Sequence, residues 1–267
     1  MKNTRFALAG GNRTCASTTT LINGNGGYAS SPAKSEDTQY PMTNLALADP
    51  LSLWRAANGL TGTYTVEFDM GSDLSLDVFG VLNLRRASGQ SSPSTFDVSY
   101  RTAALGYSFA GSWTAILTGR VANRTNAYQI AAPVRGRYVR FTLGVGGTGG
   151  GFSIGNFYIG NLSYDLGMIY GPGGARHLER QERRYRLNGG ALVNNRMGDE
   201  AYTFRFPFGA VGPTVRDTLR VISKETAPLV YLSHDDESFC VLPASTNDET
   251  HRWIENHDNA LDLETVY

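Results

Sequence analysis

The residues able to do chemistry are few and scattered. Gly151-Phe-Ser-Ile-Gly155 fits G-x-S-x-G, the strained turn that exposes a nucleophilic serine between a strand and a helix. Here a glycine run precedes Ser153, and the β-like Phe157-Tyr-Ile-Gly160 follows where a helix is required. Asp165 and His177 lie downstream in linker-like sequence, so no acid–base partner is placed for the serine and no catalytic residue is assigned. Gly144-Val-Gly-Gly-Thr-Gly149 matches G-x-G-x-x-G, but pyrophosphate binding needs the third glycine to open a helix within a βαβ unit. The chain resumes as a strand, which makes this run a hairpin loop. No phosphate-binding P-loop occurs, and no cofactor is expected.

His177, His234, His251 and His257 lack the H-E-x-x-H spacing of a zinc helix. His234-Asp-Asp-Glu237 offers nitrogen and oxygen ligands, yet consecutive residues of an extended chain point in opposite directions and do not converge on an ion. The run reads as a solvated acidic loop, with no metal site. Arg176, Arg180, Arg183, Arg184 and Arg186 alternate with Glu179 and Glu182, which reads as a mixed-charge surface or one half of an assembly interface. Trp54 and Trp113 have faces on which a sugar ring can stack, but they read as packing residues. The ligand-binding candidates are Arg85, Arg86, Ser88 and Gln90, in the polar loop after the third apolar strand, because loops on a rigid scaffold carry binding.

Strands must position these residues. Of 267 residues, 41% are hydrophobic, 18% are charged and 31 are Gly. That composition excludes a disordered chain and a coiled coil. Formal net charge is zero, with 24 groups of each sign, so no global field draws nucleic acid or an anionic membrane. Residues 1–165 carry 13 basic and 9 acidic groups (+4), leaving 11 and 15 (−4) for residues 166–267. The stretch 224–267 sets Lys224 and Arg252 against ten carboxylates, so two units are expected, the second with an acidic end. Cys15 and Cys240 make no disulfide framework. The N-terminal residues lack the apolar core of a secretory signal, and no run of about 18 apolar residues is present. A non-secreted protein without membrane insertion is expected, its sequons at Asn12, Asn123 and Asn161 accidental.

Tyr64, Val66, Phe68 and Met70 alternate with Thr65, Glu67 and Asp69, the period of a half-buried strand. Val78–Leu84 is continuously apolar, as in a strand covered on both sides. Phe96–Tyr100, Tyr138–Leu143 and Phe152–Ile159 give further strands, and such spacing reads as a β-sandwich or jelly roll. Beyond Gly171–Gly174, Tyr202–Phe208 alternates strictly, with Pro207 marking a strand end or edge. Val215, Leu219 and Ile222 make a short amphipathic helix over 213–223 that begins at a proline. Strands are expected at 229–232, 239–242 and 261–266. The domains read as 1–165, a linker over 166–186, and a smaller strand-rich α+β domain over 187–267.

The first part resembles the discoidin, or coagulation-factor F5/8 type C, family of galactose-binding-like jelly rolls. The resemblance is carried by ALADPLSLWRA (46–56), TVEFDMG (65–71), FGVLNL (79–84), FDVSY (96–100) with Gly111-Ser-Trp113, and GRYVRF (136–141). The whole chain resembles tail-tip or baseplate proteins of tailed bacteriophages. That resemblance implies a non-enzymatic virion component made in the host cytoplasm. It would assemble as a ring of its own copies with other tail proteins, and would have a loop end available to a host glycan. The alternative expectation is a lectin-like carbohydrate-binding module of a cellular protein.

Overall fold

The computed structural model describes residues 4–8, 11–22, 39–47, 52–55, 60–86, 93–122, 124–150, 152–167, 175–179, 182–186, 192–196, 201–225, 227, 229–233, 238–243, 248–251 and 257–265. In chain order the first strands are β1 (Arg5–Ala7), β2 (Thr20–Leu21), β3 (Trp54–Arg55), β4 (Leu60–Arg86), β5 (Pro93–Arg101), β6 (Thr114–Val121) and β7 (Arg124–Gly150). Then come β8 (Phe152–Ile154), β9 (Asn156–Gly160), β10 (Tyr164–Asp165), β11 (Ala175–Glu179), β12 (Glu182–Arg186), β13 (Leu192–Arg196) and β14 (Ala201–Val211). Helix α1 (Pro213–Ile222), β15 (Leu229–Leu232), β16 (Ser238–Pro243), β17 (Asp248–His251) and β18 (His257–Thr265) complete the order. The chain divides into Met1–Asp165 with Ala227–Cys240, and Leu166–Thr226 with Val241–Tyr267.

The first unit is a β-sandwich whose two long strands, β4 and β7, run antiparallel from Leu60↔Gly150 to Leu84↔Arg124. Gly71 takes a left-handed φ of 79°, and the register slips between Asp69 and Leu74, so each strand bends from one layer into the other. Before the bend β4 pairs with β2 and β7, and β7 carries β5 and then β6. After it, β4 lies between β7 and β9, with β8 and β3 at its far end. Alternation writes the core: Tyr64, Val66, Phe68, Met70, Phe96, Val98, Val139, Phe141 and Leu143 are all buried. They meet Phe79, Val81, Phe157 and Ile159 of the opposite layer, with the Phe157 ring 4.5 Å from Phe141 and 5.8 Å from Phe68. Each such side chain contributes about 1.5–3 kcal/mol by leaving water.

Val78–Leu84 is covered on both faces, as its unbroken apolar character predicts. Phe79 and Val81 enter the main core, whereas Val78 and Leu82 pack with Ala7, Ala127, Tyr158, Val230 and Leu232. Ala7 of β1 and Val230 and Leu232 of β15 supply that outer cover, and β10 pairs with β1. Two expectations are corrected. The single strand over 152–159 is two, because the Gly155 N–H turns aside to the carbonyls of Leu82 (3.1 Å) and Asn83 (3.3 Å). The glycine run 144–149 is not a loop; it extends β7, with partners on both sides at Gly62↔Val145 and Pro93↔Val145.

The second unit is α+β. Its β14 lies between β11 and β18, and β18 also pairs with β17 and with Val241–Pro243 of β16. Beyond Arg205 no described strand pairs with β14 on the β11 side, so Pro207 costs no ladder bond there. Helix α1 opens at Pro213, whose missing N–H would have been unpaired in any case, and buries Leu219 and Ile222. Part of the segment expected as a linker forms strands: β11 pairs with β14, and β12 with β13. Strands near sheet edges tolerate a charged sequence of this kind.

Candidate functional site

Three adjacent strands bring polar donors together at one end of the sandwich. In the register of β3, β8 and β4, Arg55 lies opposite Ser153 and Ser153 opposite Arg85, so the three share one face. Trp54, Phe152 and Ile154 alternate onto the other face, where they are buried in the core. Trp54 and Tyr64 both meet the Phe152 ring edge-on, at 5.6 and 5.1 Å, which anchors the short strands.

The flanking arginines are positioned by different devices. Arg55 lies over the Tyr40 ring, its guanidinium carbon 4.0 Å from the centroid, and its backbone N–H donates to the Tyr40 carbonyl (3.1 Å). Arg85 follows a bulge in β4, where Asn83 takes a left-handed φ of 54° and the register slips between Val81 and Leu84. Asn is one of the few residues that accept that conformation, and a bulge re-aims the side chains after it. The Asn83 N–H donates to Thr125 Oγ1 (3.1 Å), and its Oδ1 accepts from Arg85 Nε (3.0 Å). Ser153 is recessed at 6% exposure.

Of the expected ligand residues, Arg85 falls in this row. Arg86 ends β4 opposite Phe152, and Ser88 and Gln90 lie outside the described residues. Among the expected assembly residues, Arg176 sits on β11 opposite Phe204, and Arg183, Arg184 and Arg186 sit on β12. Arg180 and the run 234–237 are outside the described residues. Sequence reasoning missed Arg55 and Tyr40, and treated Ser153 only as a nucleophile. Both strand neighbours of Ser153 are arginines, which cannot take a proton. Among the described residues no group of three or more His, Cys, Asp or Glu is placed to hold a metal ion. Asn12 is a poor glycan acceptor: it is buried, donating to the Phe157 carbonyl (2.9 Å) and accepting from the Ile159 N–H (3.1 Å).

No protein-family model matches the chain, and no curated protein matches it. Solved structures do. The likeness is to carbohydrate-binding modules. Chitosan-binding module 1 from a chitosanase/glucanase of Paenibacillus sp. IK-5 is 15% identical with a TM-score of 0.42, over 57% of this chain and 98% of that one. Module 2 of that enzyme, in complex with chitotriose, is 12% identical with a TM-score of 0.42, over 56% of this chain and 100% of that one. A family 32 module of NanJ from C. perfringens, in complex with galactose, is 17% identical with a TM-score of 0.36, over 53% and 98%.

A second polar cluster lies on the outer face of β4, β7 and β5, under the connection 102–113. Glu67, expected on a solvent face, is 0% exposed. It accepts from Arg140 Nε (2.5 Å) and from the Tyr107 hydroxyl (2.7 Å). Arg140 also donates to the Phe109 carbonyl (2.6 Å) and stacks on Trp113, 3.9 Å from its centroid. Trp113 is therefore a packing residue on a guanidinium, outside the main core. Arg101 donates to the carbonyls of Leu105 (3.0 Å), Gly106 (3.1 Å) and Ser112 (2.8 Å), so the connection is clamped from below. Burial, and then the bond to Glu67, push the Tyr107 hydroxyl up to about 12.

Beside this cluster Arg137 grips Asp69 with two bonds, at 2.7 and 2.8 Å. That hydrogen bonding holds the Asp69 carboxyl below its ordinary value, outweighing burial, which acts the other way. A depressed carboxyl stabilises the fold above its unfolded value of 3.8 and loses that contribution as pH falls through the folded value. The pair is partly exposed, so solvent screening keeps its contribution small. Urea unfolding of the parent and Arg137→Met across this range should show the difference between them shrinking as Asp69 protonates. A difference that stays constant down to the acid limit would mean that the pair does not form in solution.

Proposed function

We propose that the first unit is a non-catalytic module that binds carbohydrate at the Arg55–Ser153–Arg85 row. The row itself carries this reading: two guanidinium groups and a hydroxyl stand side by side on three rigid strands, with the Tyr40 ring stacked on one of them. Sugars present closely spaced hydroxyls, and several directional donors held on strands fix their orientation. The absence of a proton acceptor in the strand register of Ser153 supports a binding role over an acyl-transfer one.

The test is a glycan-array measurement on the full chain, with and without calcium, beside Arg55→Ala. Binding to one sugar class that disappears in Arg55→Ala is the expected result. A parent protein that ignores every glycan overturns the reading. A second reading, an assembly component of a bacteriophage tail forming a ring with other tail proteins in the virion, rests on the resemblance of the sequence alone.

A further inference from the structure

We propose that the glycan recognised by the Arg55–Ser153–Arg85 row is acidic, a uronic acid whose carboxylate is received by Arg85; this rests on the carbohydrate reading above. The arginines of this unit are used in different ways. Arg137 has Asp69, Arg140 has Glu67, and Arg101 spends its donors on three carbonyls. Arg85 has neither arrangement. Among the described residues its one hydrogen bond is from Nε to the neutral amide oxygen of Asn83, which orients the guanidinium plane without balancing its charge. That bond leaves the Nη1/Nη2 edge, whose two N–H groups match the spacing of carboxylate oxygens.

The rest of the row suits the same ligand. Stacking on the Tyr40 ring helps to hold the plane of Arg55, one strand beyond Ser153. A neutral sugar would meet these donors with single hydroxyls. A carboxylate takes two at once in charge-assisted bonds roughly twice as strong as neutral ones. Ser153 lies between the two arginines in the strand register.

The experiment titrates the full chain with galacturonate, glucuronate and mannuronate oligosaccharides, each beside its methyl ester, together with the glycans of the array. Esterification removes the charge and leaves the protein untouched, so the comparison does not depend on a variant folding. At least one acid should bind about tenfold more tightly than its ester. That preference should vanish in Arg85→Gln and narrow as salt is raised. Binding of a neutral glycan with no acid-over-ester preference in any pair overturns the proposal and leaves the carbohydrate reading standing. Binding of no glycan at all overturns both.

Discussion

Arg140→Met should lower the unfolding free energy by about 3–5 kcal/mol, among the largest losses for any single change on this surface. The reason is what it leaves behind. Glu67 is fully buried beneath the connection 102–113, and its carboxylate is satisfied by Arg140 and by the Tyr107 hydroxyl. Removing the guanidinium strands a charge with one neutral donor in a site that water does not reach. The Phe109 carbonyl also loses its donor, and Trp113 its stacking partner. An exposed pair of the same chemistry would be worth under about 1 kcal/mol, so the size of the loss measures the burial. The paired variant Glu67→Leu/Arg140→Met should regain a good part of it, because neither charge is then left alone. Chemical denaturation of the two single variants and the pair gives the coupling directly. A loss below about 1 kcal/mol for Arg140→Met would show that water reaches Glu67 and that the connection does not cover it.

That cluster also marks where the sequence stops being legible. Period-two alternation states which face of a strand is apolar, so Tyr64–Met70, Phe96–Tyr100 and Tyr138–Leu143 show their core residues directly. The continuous run Val78–Leu84 likewise announces two covers. Alternation says nothing about what lies on the polar face, and so it places Glu67 in water. The cover comes from a separate connection, clamped by Arg101 and Arg140, whose partners are backbone carbonyls that no residue type reveals. The arginine–serine row is hidden for a similar reason. Arg85 was readable as polar sequence after an apolar strand, but Arg55 and Ser153 join it only through the register of three strands from distant segments. The left-handed Asn83 that aims Arg85 has no sequence signature of its own. Leu229–Leu232 reads as a strand, yet nothing local says that its partner is Arg5–Ala7 at the other end of the chain.

Gly80→Ala tests how tightly the two long strands approach. Gly80 sits on β4 between Ala127 of β7 and Tyr158 of β9, on the face that carries Val78 and Leu82. Its φ is not left-handed, so alanine brings no conformational strain. Restricting the unfolded chain would by itself stabilise the variant by about 0.4–1 kcal/mol. Space decides otherwise. An added Cβ would lie 2.6 Å from the Ala127 Cβ, 2.7 Å from its Cα and 2.7 Å from the Asn126 carbonyl oxygen. Two of those atoms are backbone, and β4 is hydrogen-bonded on both sides here, so neither neighbour can give way cheaply. Overpacking of this kind costs about 1–3 kcal/mol, which exceeds the entropic gain. A net loss in thermal or urea unfolding is therefore expected, larger for Gly80→Val. Ala127→Gly in the same chain should restore only part of it, since it removes one of the three close atoms. A Gly80→Ala variant as stable as the parent would mean that β4 and β7 stand further apart at this point, and that the outer core around Val78 and Leu82 is correspondingly looser.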